Sequence, residues 1–544
     1  MLGKKMSRRT FLTISAMTAM FMAMDKKKLS ALAEKISPKK DFPTVVIGAG
    51  LGGLCAAAYL VKEGFPVTVV EQHLIPGGYA TSFSRGAGDK YTFEVSLHGT
   101  ALHNTPTARI LDDLGILKKL NLVLAPECYR FKTDKIDISV PQKDPEAYIQ
   151  LLSMRFPKEA KGIRSFMDVM IGVSEDADRL SKNKGKFVKL LFPVQYKHMW
   201  GVRNKTLKGL LDEHIKDPEL KNALASLWGY YGLPPSKLSA FYYTVATGEY
   251  FKHGSYYIKE RSQNLSDALA EFIIKGGGKI LYGTEAKKIL VKDNTVSGVE
   301  VSGGKNMPAR IVVSNASAPD TLFKMLPSNA LPEDYTKKIK GYRPSLSTFI
   351  VWLGLNRELS GAIKSYTTHI SNGNPEDEYQ ACLKGDIENS PFAVTIYDNL
   401  FKGYSKPGCS TISIVALCGY DFWGRFESDY KEGKKDEYYK EKDRWTQTLI
   451  KRAEHMLIPG LSLMIDVVES ATPLTNWSFT RNYQGAIYGY DETVDNSFMN
   501  RIENHTPVKG LYLASAWGNP GGGYSGVING GYNTFVRIIE DLTQ

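Results

Sequence analysis

The chain has 544 residues, of which 43% are hydrophobic, and it carries a formal net charge of +12. Its length exceeds the usual range of one domain, so we expect at least two domains, each with its own core. Residues 1–40 contain ten Lys or Arg and two acids, so eight of the twelve net charges lie there. We find no helix-turn-helix, zinc-finger or base-stacking motif, and therefore expect no nucleic-acid partner.

The first forty residues resemble an export signal followed by a linker. Arg8 and Arg9 precede an apolar stretch that ends at Met24 and is short for a bilayer span. An arginine pair in this place is typical of the twin-arginine signal, whose machinery exports folded proteins. We expect a protein exported by this route, either periplasmic or associated with the extracytoplasmic membrane face. The alternatives are a chance arginine pair before a membrane-associated helix and a signal retained as an anchor.

A glycine-rich turn follows the apolar run that begins at Val45, and a second apolar run ends at Glu71. This order predicts a dinucleotide-binding βαβ unit, in which the turn approaches a pyrophosphate and the acid binds the ribose hydroxyls. An acid at this position also repels a 2′-phosphate and so disfavours NADP. The predicted contacts are Gly48, Gly50, Leu51, Gly52, Gly53 and Glu71.

Further glycines identify the dinucleotide as FAD. A second pair, Gly77 and Gly78, follows the ribose acid. NAD enzymes do not need it, whereas a second close backbone approach is useful for a flavin, which extends past its pyrophosphate through a ribityl chain. Near the C-terminus, a strand-like run, a glycine-rich turn and a helix start are suited to flank the flavin ring. Neither cysteines nor histidines lie in an attachment motif, so we expect noncovalent FAD. The added contacts are Gln72, Gly77, Gly78, Thr81, Gly522, Gly523 and Val527.

The predicted fold class is α/β, with a Rossmann-type FAD-binding domain and a discontinuous α+β substrate domain that carries a helical insertion. The FAD-binding domain takes residues 41–105, 264–330 and 505–544, and the substrate domain takes residues 106–263 and 331–504. These two segments are insertions into the FAD-binding domain. The first insertion, residues 106–263, shows a helical pattern over residues 144–155, 158–174, 206–215 and 219–228. The second contains a strand-like run at 410–415 and a charged helix over 430–456.

Residues 184–200 interleave lysines with large apolar side chains. Such a segment can dock on an anionic membrane surface, with aromatic rings in the interface and lysine stems along it. The alternative is an ordinary lid over the core.

Several motifs together match a known family. They include Leu207 to His214, Gly229 to Ser236, Gly276 to Ile280, Thr284 to Ile289 and Gly485 to Gly489. From about Pro43 onward, the chain resembles the FAD-dependent phytoene desaturase, carotenoid isomerase and retinol saturase group of the amine oxidase superfamily. The resemblance implies that the backbone near Ala286 contacts the adenine side of FAD. Relatives usually have Phe-Asp-x-Gly where this chain has Phe93 to Ser96, and an acid where it has Ser515 or Ala516.

A flavin reaction on a polyene or enone requires no nucleophile and no metal, and one proton donor or acceptor suffices. We predict His98, Trp517 and Tyr524 as catalytic residues, and Tyr230 and Tyr488 as substrate contacts. No metal site is expected, because the five cysteines are scattered without a C-x-x-C spacing.

Three functions stay open at this stage. The first is saturation or desaturation of carbon–carbon bonds in a lipophilic isoprenoid or polyene. The second is amine oxidation, for which Tyr488 and Trp517 would imitate an aromatic cage. The third is redox-neutral, namely a carotenoid-type isomerase or a lipid-binding protein that keeps FAD for stability. The expected partners are a lipophilic small molecule, the twin-arginine machinery, a membrane surface and a quinone that exchanges electrons.

Overall fold

A computed structural model describes residues 26–544, except 97, 183–190, 360, 362, 402, 498 and 499. The arginine pair predicted as an export signal lies outside the described residues, as does the lysine-rich start of the predicted membrane-docking segment. The remaining residues form two large sheets, a small antiparallel sheet and a group of helices.

The first sheet has five parallel strands, which come from all three segments predicted for the FAD-binding domain. Thr44–Ile47 and Ile311–Ser314 are buried at every position, because the helix Leu51–Lys62 packs on one face of the sheet and the small antiparallel sheet packs on the other. These strands therefore appear in the sequence as continuous runs of valine and isoleucine. In spatial order the strands are Leu511–Leu513, Ile311–Ser314, Thr44–Ile47, Val67–Val70 and Lys279–Leu281.

The helix Leu51–Lys62 follows the first strand and packs against both Arg261–Lys275 and Tyr524–Thr543. Its contact with the last helix is close, because a Cβ added at Gly531 would lie 2.3 Å from the Gly52 carbonyl oxygen. The helices Lys26–Lys35, Pro106–Asp113, Ala318–Asp320 and Glu333–Lys340 also pack on this domain, although the second and fourth lie in the segments predicted for the substrate domain. A three-stranded antiparallel sheet, Ala286–Lys292, Thr295–Val301 and Asn306–Pro308, lies beside it.

The second large sheet has seven strands and belongs to the substrate domain. Neighbouring strands in this sheet are antiparallel, except that Thr367–Ile370 runs parallel to Tyr129–Lys132. Two of its strands come from the first insertion, which is therefore less purely helical than its sequence pattern predicts. In order the strands are Ile465–Ala471, Ser347–Leu355, Ser410–Cys418, Phe392–Ile396, Thr367–Ile370, Tyr129–Lys132 and Asp137–Val140. Two strand pairs complete the fold: Ser82–Arg85 with Tyr91–Glu94, and Leu122–Leu124 with Tyr256–Ile258.

The helices of the first insertion are Pro145–Arg155, Ala160–Lys182, Phe192–Gln195, Lys197–Val202, Leu207–His214, Pro218–Leu224, Trp228–Tyr231 and Ala240–His253. Those of the second are Pro375–Lys384, Tyr420–Gly424, Glu427–Lys431, Asp436–Met456 and Pro473–Thr480. The single charged helix predicted over 430–456 is thus divided in two. The division falls at Gly433, whose φ of 82° lies in the left-handed region that a regular helix does not use.

In the described part of the predicted membrane-docking segment, most of the large apolar side chains face the protein core. Phe192, Tyr196 and Met199 are buried, whereas Leu191 and Val194 are 38% and 75% exposed. Among the described residues, every helix is either too short or too polar to cross a membrane.

Candidate active site

A cavity of about 1150 Å³ runs from the glycine turn of the first sheet to the helices of the substrate domain. One end is lined by Gly48, Gly50 and Glu71, and the other by aromatic residues such as Trp228 and Tyr230. Known ligand pockets span roughly 300–1,000 Å³, so this space accepts a dinucleotide together with a second molecule.

The nucleotide end is built around the start of the helix Leu51–Lys62. The N–H groups of Leu51 and Gly52, in the first turn, have no intrahelical partner, and Gly50 at the N-cap provides no side chain to accept from them. These groups and the helix dipole form an anion site on the cavity wall, which fits a pyrophosphate.

Gly53, predicted as a cofactor contact, does not line the cavity. Its N–H donates to Asn315 Oδ1 at 3.0 Å, and an added Cβ would lie 2.4 Å from the Gly48 carbonyl oxygen. The prediction of direct contact is therefore wrong, and Gly53 serves instead to let the helix approach the strand. Asn315, which lines the cavity, was not predicted. A signal for it exists, because it directly follows the strand Ile311–Ser314 at the edge where α/β sheets bind ligands.

The predicted ribose acid, Glu71, is held in place by backbone groups. Its carboxylate accepts hydrogen bonds from the Ala49 and His73 N–H groups, both at 2.7 Å. Gln72 also lines the cavity, and its side chain donates to the Phe479 carbonyl and accepts from Arg481, both at 3.0 Å. Both residues thus lie on the wall where a ribose would bind.

The second glycine pair lies beside the first turn. Gly77 and Gly78 have φ of 124° and 60°, and the Gly77 N–H donates to the Ala49 carbonyl at 2.8 Å. An added Cβ at Gly78 would lie 3.7 Å from Gly50 Cα. Two further predicted contacts, Thr81 and Ala286, line the same cavity.

The C-terminal glycines bring a second helix start to the cavity. Gly523 is the N-cap of the 20-residue helix Tyr524–Thr543 and has no side-chain capping bond. A Cβ added there would meet no described atom within 4 Å, whereas one at Gly522 would lie 2.9 Å from Tyr488 Cα. Val527 lines the cavity one turn further on. The helix starts at Gly50 and Gly523, which have no side-chain cap, and the wall that carries Glu71 together fit FAD.

Trp517 was predicted as a catalytic residue, and the structure contradicts this. Its side chain is completely buried and does not line the cavity. The indole N–H donates to Asn482 Oδ1 at 2.8 Å, and the ring packs edge-on against Tyr490 with centroids 4.8 Å apart. An indole with its one donor paired and its ring surrounded by apolar groups is a core residue. The predicted cage of Tyr488 and Trp517 therefore does not form.

Tyr524, the other predicted residue of this loop, does line the cavity. Its hydroxyl lies 3.2 Å from Ser96 Oγ and 3.4 Å from the Tyr79 carbonyl oxygen. Burial raises the pKa of Tyr524 well above its usual range, so the phenol is neutral.

His98 also lines the cavity. Its Nδ1 atom is 3.2 Å from both the Tyr397 hydroxyl and Thr395 Oγ1. Burial lowers the pKa of His98 to about 4, so the imidazole is neutral at pH 7. A second histidine, His369, also lines the cavity, and burial together with the nearby His98 lowers its pKa to about 3. His369 was not predicted, because a lone histidine on a strand has no motif around it.

The predicted substrate contacts, Tyr230 and Tyr488, both line the cavity. Glu94, which stands at the acid position of the Phe-Asp-x-Gly motif, is buried and was not predicted as a site residue. Its carboxyl accepts hydrogen bonds from the Tyr257 hydroxyl at 2.7 Å and from the Ser262 N–H at 3.1 Å. Burial raises the pKa of Glu94 to about 7.

Comparison with known proteins agrees with this geometry. Residues 51–539 match the family described as flavin containing amine oxidoreductase, which is nearly the whole chain. The chain belongs to this family and is an FAD-dependent oxidoreductase. The resemblance drawn from the sequence motifs is confirmed, as are the fold class and the cofactor.

The curated relatives include proteins named for isoprenoid substrates. An all-trans-retinol 13,14-reductase of Danio rerio is 23% identical, over 90% of this chain and 86% of that protein. A chloroplastic prolycopene isomerase of an Oncidium hybrid cultivar is 25% identical, over 96% and 89%. A neurosporene-forming phytoene desaturase of Rhodobacter capsulatus is 25% identical, over 92% and 94%.

Solved structures with a similar fold include an oxidoreductase from Methanosarcina mazei, at 19% identity and a TM-score of 0.59, covering 90% of this chain and 99% of that one. Putrescine oxidase, in a structure with putrescine bound, has 14% identity and a TM-score of 0.59, covering 92% and 98%. At these identities the likeness concerns the fold alone.

Proposed function

We propose that this protein saturates or desaturates carbon–carbon bonds in a lipophilic substrate of the isoprenoid or polyene class. The observation that carries the proposal is a single cavity with two parts. The FAD cradle, formed by the turns that contain Gly50, Gly78 and Gly522, is joined to an aromatic chamber lined by residues such as Trp228 and Tyr230. The names of the curated relatives, which refer to retinol, prolycopene and phytoene, support the same substrate class.

FAD supplies hydride transfer to or from carbon when it is bound. The chain itself supplies binding, orientation and exclusion of water. Large side chains enclose the space beyond the glycine turns, including Phe241, Tyr242, Ile350 and Leu417. Such walls hold an apolar chain and keep water from the reacting carbons. Tyr524, which lies at the start of the helix that meets the cradle, is the neutral hydroxyl best placed to move a proton or orient the substrate.

Amine oxidation is less well supported, because the cage that it was expected to use is absent. A redox-neutral isomerisation uses the same cavity, and the name of one group of relatives supports it. Mass spectrometry of small molecules extracted from the native protein separates amine oxidation from the two functions that act on an isoprenoid. We expect a bound isoprenoid or polyene, whereas recovery of amines alone would contradict the proposal.

We further propose that the protein is exported by the twin-arginine route and works at the extracytoplasmic membrane face, with a quinone as electron partner. The paired Arg8 and Arg9 support the route, and a lipophilic substrate suits a membrane surface. Because a receptor reads the two arginines, the double variant Arg8→Lys with Arg9→Lys should leave flavin-loaded protein in the cytoplasm. The control changes Lys4 and Lys5 to Arg and should be exported. Normal export of the first variant would contradict the route.

A further inference from the structure

Three polar side chains face the aromatic chamber, and each has at least one nitrogen or oxygen atom without a hydrogen-bond partner in the described part of the chain. Tyr230 lines the cavity, and its hydroxyl makes no hydrogen bond to any described residue. The ring nitrogens of His369 likewise have no hydrogen-bond partner in the described part of the chain. His98 uses Nδ1 to contact Tyr397 and Thr395, which leaves its Nε2 atom without a described partner.

These groups share one stretch of wall. His369 lies two positions after Thr367 on the strand Thr367–Ile370, so the two side chains share one face of the sheet. Thr367 faces Thr395 across the sheet, with hydroxyls 3.1 Å apart, and Thr395 in turn contacts His98. The Tyr230 ring lies 6.1 Å from the His369 ring. Two imidazoles and one phenol therefore converge on the chamber.

The wall can donate hydrogen bonds to a ligand. When the Tyr397 or Thr395 hydroxyl donates to Nδ1 of the neutral His98, the proton of the imidazole resides on Nε2. Tyr230 has a free hydroxyl donor. A buried polar group left without a partner costs roughly 1–3 kcal/mol. A hydrocarbon that displaced water from this wall would incur that cost at several atoms, whereas a ligand oxygen would avoid it.

We propose that the wall formed by His98, His369 and Tyr230 binds a hydrogen-bond-accepting oxygen, so that the substrate is an oxygenated isoprenoid and not a hydrocarbon. This inference rests on the proposed function, because it assigns the chamber to a lipophilic substrate. The oxygen belongs to a hydroxyl or a carbonyl group, both of which accept from the same donors.

Two matched ligand pairs test the inference. Canthaxanthin and β-carotene share one carbon skeleton, and only the first carries ketones; retinal and the hydrocarbon axerophtene form a shorter pair. The flavin-loaded full chain is equilibrated with each in detergent micelles, and bound ligand per FAD is measured chromatographically. We expect the oxygenated member of at least one pair to bind roughly tenfold more tightly, as one paired donor would give.

Variants connect the preference to the wall. Tyr230→Phe removes one hydroxyl and should lower the affinity for the oxygenated ligand roughly tenfold, without weakening the hydrocarbon. His369→Phe keeps a planar ring and should act in the same direction. Tyr512→Phe is the control and should leave both affinities unchanged, because its hydroxyl pairs with Asp541 at 3.0 Å and its side chain does not line the cavity.

The outcomes separate this inference from the function on which it rests. Equal binding of oxygenated and hydrocarbon ligands, or an unchanged preference in both wall variants, would overturn the inference and leave the proposed function intact. Failure of all four ligands to bind the flavin-loaded protein would overturn the proposed substrate class, and the inference with it.

Discussion

The Arg501 guanidinium lies 2.6 Å from the Glu492 carboxylate, and the two side chains are 0% and 1% exposed. Arg501 also donates to the Gly518 and Ala516 carbonyls at 2.8 and 2.7 Å. These carbonyls belong to the loop that leads into the C-terminal glycine turn. The buried pair thus connects the substrate domain to the backbone that approaches FAD.

We expect Arg501→Met to destabilise the protein and to reduce FAD retention. Burial raises the pKa of Glu492 to about 8, so removal of Arg501 leaves a buried carboxyl and two buried carbonyls without their donor. Breaking such a buried pair costs roughly 3–5 kcal/mol. Urea unfolding and flavin content per chain measure the two effects. Arg444→Met is the control, since its side chain is 48% exposed and pairs with Glu441 at 2.8 Å. Surface pairs of that kind contribute about 0–1 kcal/mol, so equal effects of the two variants would contradict the role of Arg501.

Trp517 and Tyr524 should differ sharply when substituted, although the sequence suggests similar roles for them. Trp517→Ala removes a completely buried ring and should cost roughly 3–5 kcal/mol of unfolding free energy. Tyr524→Phe removes one hydroxyl at the cavity and should lower turnover while FAD content and stability change little. Unfolding curves, flavin content and turnover with the native substrate distinguish these outcomes. A stable Trp517→Ala variant with selectively lost turnover would restore Trp517 to the site.

Close helix packing at the FAD cradle should make Gly52 intolerant of a side chain. A Cβ at this position would lie 2.0 Å from the Ala514 carbonyl oxygen. We expect Gly52→Ala to cost about 1–3 kcal/mol or more, as overpacking does, and to weaken FAD binding. Gly201→Ala is the matched control in the helix Lys197–Val202, where an added Cβ meets no described atom within 4 Å. It should be neutral or stabilise by about 0.5–1 kcal/mol; similar losses in both variants would contradict the packing argument.

Glu94 should make stability depend on pH. Its pKa rises from 4.5 to about 7 on folding, mainly because of burial. Between these values the folded protein keeps a proton that the unfolded chain has lost. The contribution of Glu94 to the free energy of unfolding is therefore fully present below pH 4.5 and is lost as the pH rises through 7. The loss is at most about 1.4 kcal/mol per pH unit.

The test for Glu94 compares unfolding free energies of the wild type and Glu94→Gln from pH 5 to 8. The wild type should lose stability relative to the variant as the pH rises, and the difference should level off above the folded pKa. Glu271→Gln is the control, because Glu271 is exposed and its pKa is lowered to about 2. A constant difference between wild type and Glu94→Gln would show that Glu94 does not titrate in this range.

The sequence predicts the FAD cradle well because local backbone geometry specifies it. Gly48, Gly50 and Glu71 act through turns and strand ends that neighbouring residues determine. The position of Trp517 could not be predicted, since its burial depends on Asn482 and Tyr490, which approach it only in the folded chain. His369 was missed for the same reason. It reaches the chamber through the pairing of its strand with Tyr129–Lys132, more than two hundred residues earlier.

The most direct test of the account is the fate of carbon–carbon bonds during flavin turnover. The purified flavin-loaded chain is incubated without oxygen with retinol or canthaxanthin, once with oxidised FAD and once with chemically reduced FAD, and the masses of the products are measured by mass spectrometry. We predict that a change in flavin redox state accompanies the loss or gain of a hydrogen pair in the isoprenoid. Unchanged isoprenoid mass in both directions, together with oxidation of simple amines and release of peroxide in air, would contradict the account.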